Sequence, residues 1–155
     1  NNLEEREFIA RLYEASRAGV NVSLIIRGIC CLVPGVKGLS ENIRVIRIID
    51  RFLEHARVFI FNNNNQPEVY LGSADWMIRN IYRRIEVCFP IDDQAMKSEI
   101  IGIIDLQLKD NVQAVTVDDK LNNIPMRAST AKEGLQSQKA ISKLLTAATK
   151  KPTQK

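Results

Sequence analysis

Histidine is all but missing from this sequence: His55 is the single imidazole among 155 residues. Chemistry that needs two histidines would therefore have to import the second. Cysteine is scarce as well. Cys30, Cys31 and Cys88 make an odd number, two of them are adjacent, and none shows C-x-x-C spacing. That pattern speaks against an ordinary structural disulfide and against a zinc site. It predicts reduced thiols packed as small hydrophobes in a cytoplasmic protein. No apolar run approaches the ~18–20 residues of a membrane span, and no signal-peptide pattern opens the chain. Neither charge dominates, with 22 basic against 18 acidic residues and a net charge of +4. Such a balance tolerates an anionic ligand but lacks the dense Lys/Arg stripe of a nucleic-acid binder. There is no internal repeat and no linker that would split the domain. The sequence also lacks an initiator Met and starts on the doorstep of a helix, so a piece of a larger protein is expected.

What is present reads as one α/β domain, residues 1–149, followed by a basic tail at 150–155 expected to be disordered. "LEEREFIARLYEASRA", residues 3–18, sets its apolar side chains near one face and stops at Gly19, which predicts an amphipathic helix. "VNVSLIIRG" is a β-branched run and predicts a buried strand ending at Arg27-Gly28. Residues 28–41 form a Gly/Pro-rich loop. "NIRVIRIIDRFLEH" fits a strand followed by a turn, or one helix, and its β-branched density favours the strand. "ARVFIF" and "PEVYLGS" predict a hairpin whose polar loop runs from Asn62 to Gln66. "WMIRN" predicts a helical turn and "RRIEVCFPI" a strand stopped by Pro90. A helix opened by Asp92 and Asp93 follows, then the strand "VQAVTVD". A last amphipathic helix is predicted at 131–149, and the stretch "DKLNNIPMRASTAKEG" before it reads as mobile.

Several residues carry chemistry. His55 and Arg57 stand two apart in a strand-like segment, so both side chains leave on one face. An imidazole beside a cation suits an anionic substrate, since one can move a proton while the other fixes oxygens. Gly72-Ser73, at the end of the partner strand, offers backbone N–H groups and a hydroxyl to the same edge. Arg27 follows an apolar strand, where ligands collect in open α/β sheets, and its planar fork suits phosphate; strands also often end in a charge without function. Arg79, Arg83 and Arg84 could form a phosphate track, although a solvated face is the simpler reading. Glu86, inside an apolar run, needs a partner, and a nearby arginine is the natural one. Trp76 and Met77 read as core plugs.

The motifs Ile-Arg-Gly-x-Cys (26–30), Ser-Glu-Asn-Ile-Arg (40–44), Phe-Leu-Glu-His (52–55) and Gly-Ser-Ala-Asp-Trp (72–76) resemble the C-terminal domain of bacterial polyphosphate kinase, type 1 family. The resemblance is strong from Asn1 to Pro90 and looser to about Ala148. It implies a phospholipase D-like mixed sheet flanked by helices. His55-x-Arg57 stands where that superfamily has His-x-Lys, and Gly72-Ser73-x-Asp75 stands for Gly-Ser-x-Asn. The aspartate expected after His-x-Lys has no clear match. The resemblance further implies an ATP–polyphosphate phosphotransferase, acting reversibly through a phosphohistidine in a preceding domain that this chain lacks. His55 would then be a catalytic residue beside ATP phosphates and Arg27 a contact to them, with Arg57 and Ser73 in support. Mg2+ would come with ATP, its ligands lying outside this chain. The expected partners are ATP or ADP, polyphosphate, the preceding domains and, at full length, further copies of the enzyme, without nucleic acid. The expected location is the cytoplasm, peripheral to the membrane at full length.

Two other readings stay open at this point. A phospholipase D-type phosphodiesterase would need a second His-x-Lys from a dimer mate. A non-enzymatic polyanion-binding domain would use only the basic surface. Arg57 in place of lysine counts against the first, and motifs placed at discrete strand ends count against the second.

Overall fold

The computed structural model describes residues 1–127, 130 and 133–149, except the side chains of 148 and 149. Helix α1, Arg6–Arg17, begins where the Glu5 carboxylate accepts the N–H of Phe8 at 2.9 Å, and the chain turns beyond it at Gly19 with φ 85°. The helix starts three residues later than its apolar pattern because Leu3 is used elsewhere. Its N–H donates to Ile29 and its carbonyl accepts from Cys31, at 2.8 and 2.9 Å. Strand β1, Val22–Ile25, lies parallel to β2, Ile43–Ile48, and the chain beyond Ile48 is irregular, so the strand reading of residues 42–55 holds.

Strands β3 (Val58–Phe61) and β4 (Glu68–Gly72) form the expected hairpin. Its loop carries Asn63, Asn64 and Asn65 at φ 40°, 53° and 63°, a left-handed path that asparagine tolerates. Helix α2 is Ile78–Arg83, and β5, Cys88–Pro90, pairs with β4. Helix α3, Gln94–Leu108, is capped by Asp93, which accepts the N–H of Met96 at 2.8 Å. Strand β6, Ala114–Val117, runs antiparallel to β2. Beyond it, part of the stretch 119–134 expected to be mobile is ordered: β7, Asn123–Pro125, pairs with β6, while residues 128, 129, 131 and 132 of that stretch lie outside the described residues. Asp118 makes the turn, its carboxylate accepting the N–H groups of Lys120 and Asn122 at 3.0 and 2.7 Å. Helix α4 is Ser137–Thr149. Residues 131 and 132 of the predicted last helix, and the tail 150–155, lie outside the described residues.

The strands form two sheets, a mixed one in the order β1-β2-β6-β7 and an antiparallel one in the order β3-β4-β5. Alternation along β2 builds the core on both faces of the first sheet. Ile43 and Val45 join Leu3, Ile9 and the α1 residues Phe8 and Leu12, whereas Ile46 and Ile48 join Ala114 and Leu108 of α3. Trp76 is the expected plug, stacked between Phe8 and Phe59 at 4.6 and 5.2 Å. One cysteine expectation needs correcting. All three thiols are free, but only Cys30 is half-buried, while Cys31 and Cys88 are exposed. Cys88 sits on the sheet's outer strand β5, all of whose side chains face solvent.

Asp110 ties the far end together. Fully buried, its carboxylate accepts the N–H groups of Val112, Gln113 and Ala114 and, on its other oxygen, that of Ser137 at the start of α4. Burial pushes this carboxyl up, but the Ser137 and Gln113 N–H groups lead a set of hydrogen bonds that carry it below the usual range. Asp110→Ala leaves the Ala114 and Ser137 N–H groups buried and unpaired, which is expected to cost about 3 kcal/mol. Urea unfolding should show the midpoint falling, and an unchanged midpoint would remove Asp110 from this role.

Candidate functional site

Three stretches of chain meet beside the end of β1: the lead-in Asn1–Leu3, the loop after β1, and the segments flanking the β3–β4 hairpin. The lead-in stitches the two sheets together. Besides its bonds to Ile29 and Cys31, it accepts the Trp76 N–H on Asn2, while Glu4 and Glu5 donate to the Trp76 carbonyl. Gly28 makes this approach possible. Its N–H reaches the Asn1 carbonyl at 2.8 Å, and a Cβ at 28 would strike the Asn2 side chain.

Arg27 lies two residues beyond β1 and donates through Nη2 to Asn1 Oδ1 at 2.6 Å. Its Nε is buried without a hydrogen-bond partner, and among the described residues Arg27 forms no ion pair. A half-buried guanidinium with its charge uncompensated is a natural anion receptor.

His55 sits just before β3 rather than within it, exposed, and Arg57 Nη2 lies 2.9 Å from its Nε2. The shared face expected from their spacing is therefore real. Partial withdrawal from water lowers the imidazole's pKa first, the Arg57 charge lowers it further, and Arg27 acts in the same direction.

Behind Arg57 stands a buried carboxylate. Asp75 is 3% exposed and takes Arg57 Nε at 3.1 Å, Asn2 Nδ2 at 2.9 Å and Asn1 Nδ2 at 3.2 Å. Burial pushes its carboxyl up, yet the hydrogen bonds from Asn2, Asn1 and Arg57 outweigh this and bring it down to about 2. Asn1 thus links Arg27 to Asp75, and Asp75 links both to Arg57 and His55. The Gly-Ser-x-Asp motif contained the signal for Asp75. Nothing in the sequence marked Asn1 and Asn2, whose partners lie 26 to 74 residues away.

Ser73 comes to the same corner, but its hydroxyl donates to Glu86 and accepts the N–H of Val87 at 3.0 Å. The hydroxyl expected to face phosphate is turned instead to the lead-in of β5. Glu86 is held by Ser73 and by Asn80 Nδ2 at 2.7 Å, with the expected arginine, Arg84, more distant at 3.9 Å. The Ser73 and then the Asn80 hydrogen bonds lower its pKa. Arg79, Arg83 and Arg84 are all exposed, a solvated face.

Arg27, Arg57, Asp75 and Asn1 line the polar end of a cleft of about 380 Å³, whose other walls include Ile48 and Ile104. Among the described residues no group of His, Cys, Asp and Glu could hold a metal ion. Glu54, Asp75 and Asp105 all line the cleft; Asp75 is engaged by Arg57, Asn2 and Asn1 and Glu54 accepts from Gln107 at 3.1 Å, and the three form no cluster that fits Mg2+, which takes carboxylate oxygen and water.

The fold is that of a phospholipase D-like mixed α/β domain. The family described as Polyphosphate kinase C-terminal domain 2 matches residues 1–138. The chain is 52% identical over 123 residues to a polyphosphate kinase of Vibrio parahaemolyticus, covering 79% of the chain and 18% of that protein. It is 48% identical over 141 residues to one from Vibrio vulnificus, covering 91% and 20%. The crystal structure of polyphosphate kinase from Porphyromonas gingivalis superposes with a TM-score of 0.91 at 46% identity, over 96% of this chain and 22% of that one. The chain belongs to the polyphosphate kinase C-terminal domain 2 family, and it spans about a fifth of the length of these relatives.

Proposed function

We propose that this domain is one half-site of an ATP–polyphosphate phosphotransferase, which reversibly moves the terminal phosphoryl of ATP onto a polyphosphate chain. The observation that carries the reading is Arg27, held by Asn1 and without an ion pair among the described residues, lining one cleft with Arg57, whose Nη2 lies 2.9 Å from His55 Nε2. Phosphoryl transfer needs positive charge and positioning around the equatorial oxygens more than covalent help, and this cleft supplies both. Arg27 grips phosphate oxygens; His55 stands beside them as the catalytic group.

A nucleophilic histidine needs a free ring-nitrogen lone pair, and that of His55 is already taken by Arg57. This supports placing the phosphohistidine on the preceding domain, and it counts against a phosphodiesterase built on His55. Mg2+ arrives with ATP, and its ligands lie elsewhere in the assembled enzyme. The preceding domain has a surface to meet: Ile49, Phe52 and Leu53, next to His55, are 70%, 65% and 73% exposed. They are not loose, since the Phe52 backbone is held at both polar atoms by Gln138 and the Asp50 side chain by Gln136. At full length we place the enzyme, as an oligomer, in the cytoplasm or against the membrane surface. No helix among the described residues is long and apolar enough to cross a membrane.

The purified chain is expected to unfold in one cooperative thermal transition and to catalyse no ATP–polyphosphate exchange, because the nucleophile is absent. Robust exchange by the pure chain would overturn the half-site reading.

A further inference from the structure

A guanidinium has N–H donors and no acceptor, so contact between Arg57 Nη2 and His55 Nε2 at 2.9 Å has only one chemical meaning. Nε2 accepts, and the ring's proton sits on Nδ1. An imidazolium in the same place would set N–H against N–H. Arg57 cannot drift away to relieve such a clash, because its Nε is fixed on Asp75 at 3.1 Å and a second Nη hydrogen reaches the His55 carbonyl at 3.4 Å. Asp75 in turn is immobilised by Asn1 and Asn2 and is 3% exposed. The brace is therefore continuous from buried carboxylate to exposed imidazole.

We propose that Asp75 is a positioning residue which, through Arg57, holds His55 as the neutral Nδ1–H tautomer, so that His55 serves the phosphoryl group as a neutral hydrogen-bond donor and not as a proton-donating imidazolium. Resting on the phosphotransferase reading, the second half of this assigns Nδ1–H to an equatorial phosphoryl oxygen; no proton changes owner. The first half, the tautomer, stands on the contacts alone. The charged groups of the neighbouring segments that act on His55 are Arg57 ahead of β3, Asp75 after β4 and Arg27 after β1. Arg57 and Arg27 oppose a charged ring and Asp75 favours one, yet partial withdrawal from water and Arg57 outweigh Asp75 and leave the neutral ring preferred.

This arrangement also explains the arginine found where the superfamily has lysine. A lysine ammonium is a point charge on a flexible stem; it cannot bind Asp75 through one nitrogen and the imidazole through another. Arg57 is accordingly a coupling element between Asp75 and His55, and its fork is already in use before any phosphate arrives.

Because the chain has one histidine, nitrogen-15 NMR of the ring reads the tautomer without assignment. At a pH above the ring's midpoint, wild-type chain should show Nδ1 as the protonated nitrogen and Nε2 as the bare one. Arg57→Gln removes the cation and the fork that spans Asp75 and the ring while leaving Asp75 on Asn1 and Asn2; it should average the two nitrogen shifts and move the ring's midpoint upward, as loss of a nearby cation requires. Asp75→Asn should also average the shifts, with amide spectra confirming that both variants are folded. The exchange assay on polyphosphate kinase carrying Arg57→Gln should show kcat falling with KM nearly unchanged, and its acid limb should shift upward with the NMR midpoint. A wild-type ring protonated on Nε2, or shifts unchanged in a folded Arg57→Gln chain, would overturn the tautomer brace. A confirmed tautomer together with undiminished exchange in Arg57→Gln would overturn the neutral-donor role, while failure of the phosphotransferase reading would show separately as wild-type enzyme without exchange.

Discussion

Polyphosphate kinase carrying Arg27→Ala is expected to retain its fold and lose on the order of 10²-fold in kcat/KM, the usual consequence of deleting one charged donor aimed at a transition state. The structure explains why the loss should be large for a residue outside any strand. One arm of the guanidinium is held by Asn1 Oδ1 at 2.6 Å, which aims the remaining N–H groups, and no carboxylate among the described residues neutralises the charge. Arg27→Lys keeps a cation but cannot reach Asn1 and a phosphate oxygen together, so it should fall between wild type and alanine. The circular dichroism of both variants should match wild type. Normal turnover in Arg27→Ala would return the residue to an ordinary charge after a strand.

Much of the domain was legible before any coordinates. Strands β1 to β4 and helix α3 were set by local signals, namely β-branched runs, the asparagine loop and an aspartate cap, which tertiary contacts reinforce. The misreading of 119–125 came from composition. A polar, proline-containing stretch reads as loose, yet Asp118 organises its turn through three hydrogen bonds to Lys120 and Asn122, and the partner β6 comes immediately before it. The site divided along the same line. His55 and Arg57 are near neighbours, so their meeting followed from spacing. Asp75, Asn1 and Asn2 act across 18 to 74 residues, and no periodicity records such a contact. Ser73 failed for another reason. The position was right, but a hydroxyl takes whichever partner lies closest, and Glu86, flagged as needing a partner, is that partner.

The largest effect is expected at His55. In the full-length enzyme His55→Ala should lower phosphoryl transfer by roughly 10²- to 10⁴-fold, the range for losing a positioned donor or acid–base group. The side chain is exposed and caps nothing in the core, so thermal stability should hardly change. The direction of its pKa adds a second readout. Withdrawal from water and the neighbouring arginines lower the folded-state value below that of a free histidine, which means the fold favours the neutral ring. For a base with a depressed pKa, the favourable neutral state is complete above the unfolded value and is lost as pH falls through the folded one. Activity that needs neutral His55 should therefore persist through neutral pH and decline on the acid side; activity that needs imidazolium would do the reverse. Chemical replacement separates the two. His55→Gln supplies a neutral N–H donor and should recover part of what alanine loses, with the acid limb flattened because nothing titrates there any longer. His55→Lys supplies a charge beside Arg57 and Arg27 and should recover nothing. If His55→Ala proves fully active, the imidazole is structural, and the catalytic reading of this cleft falls with it.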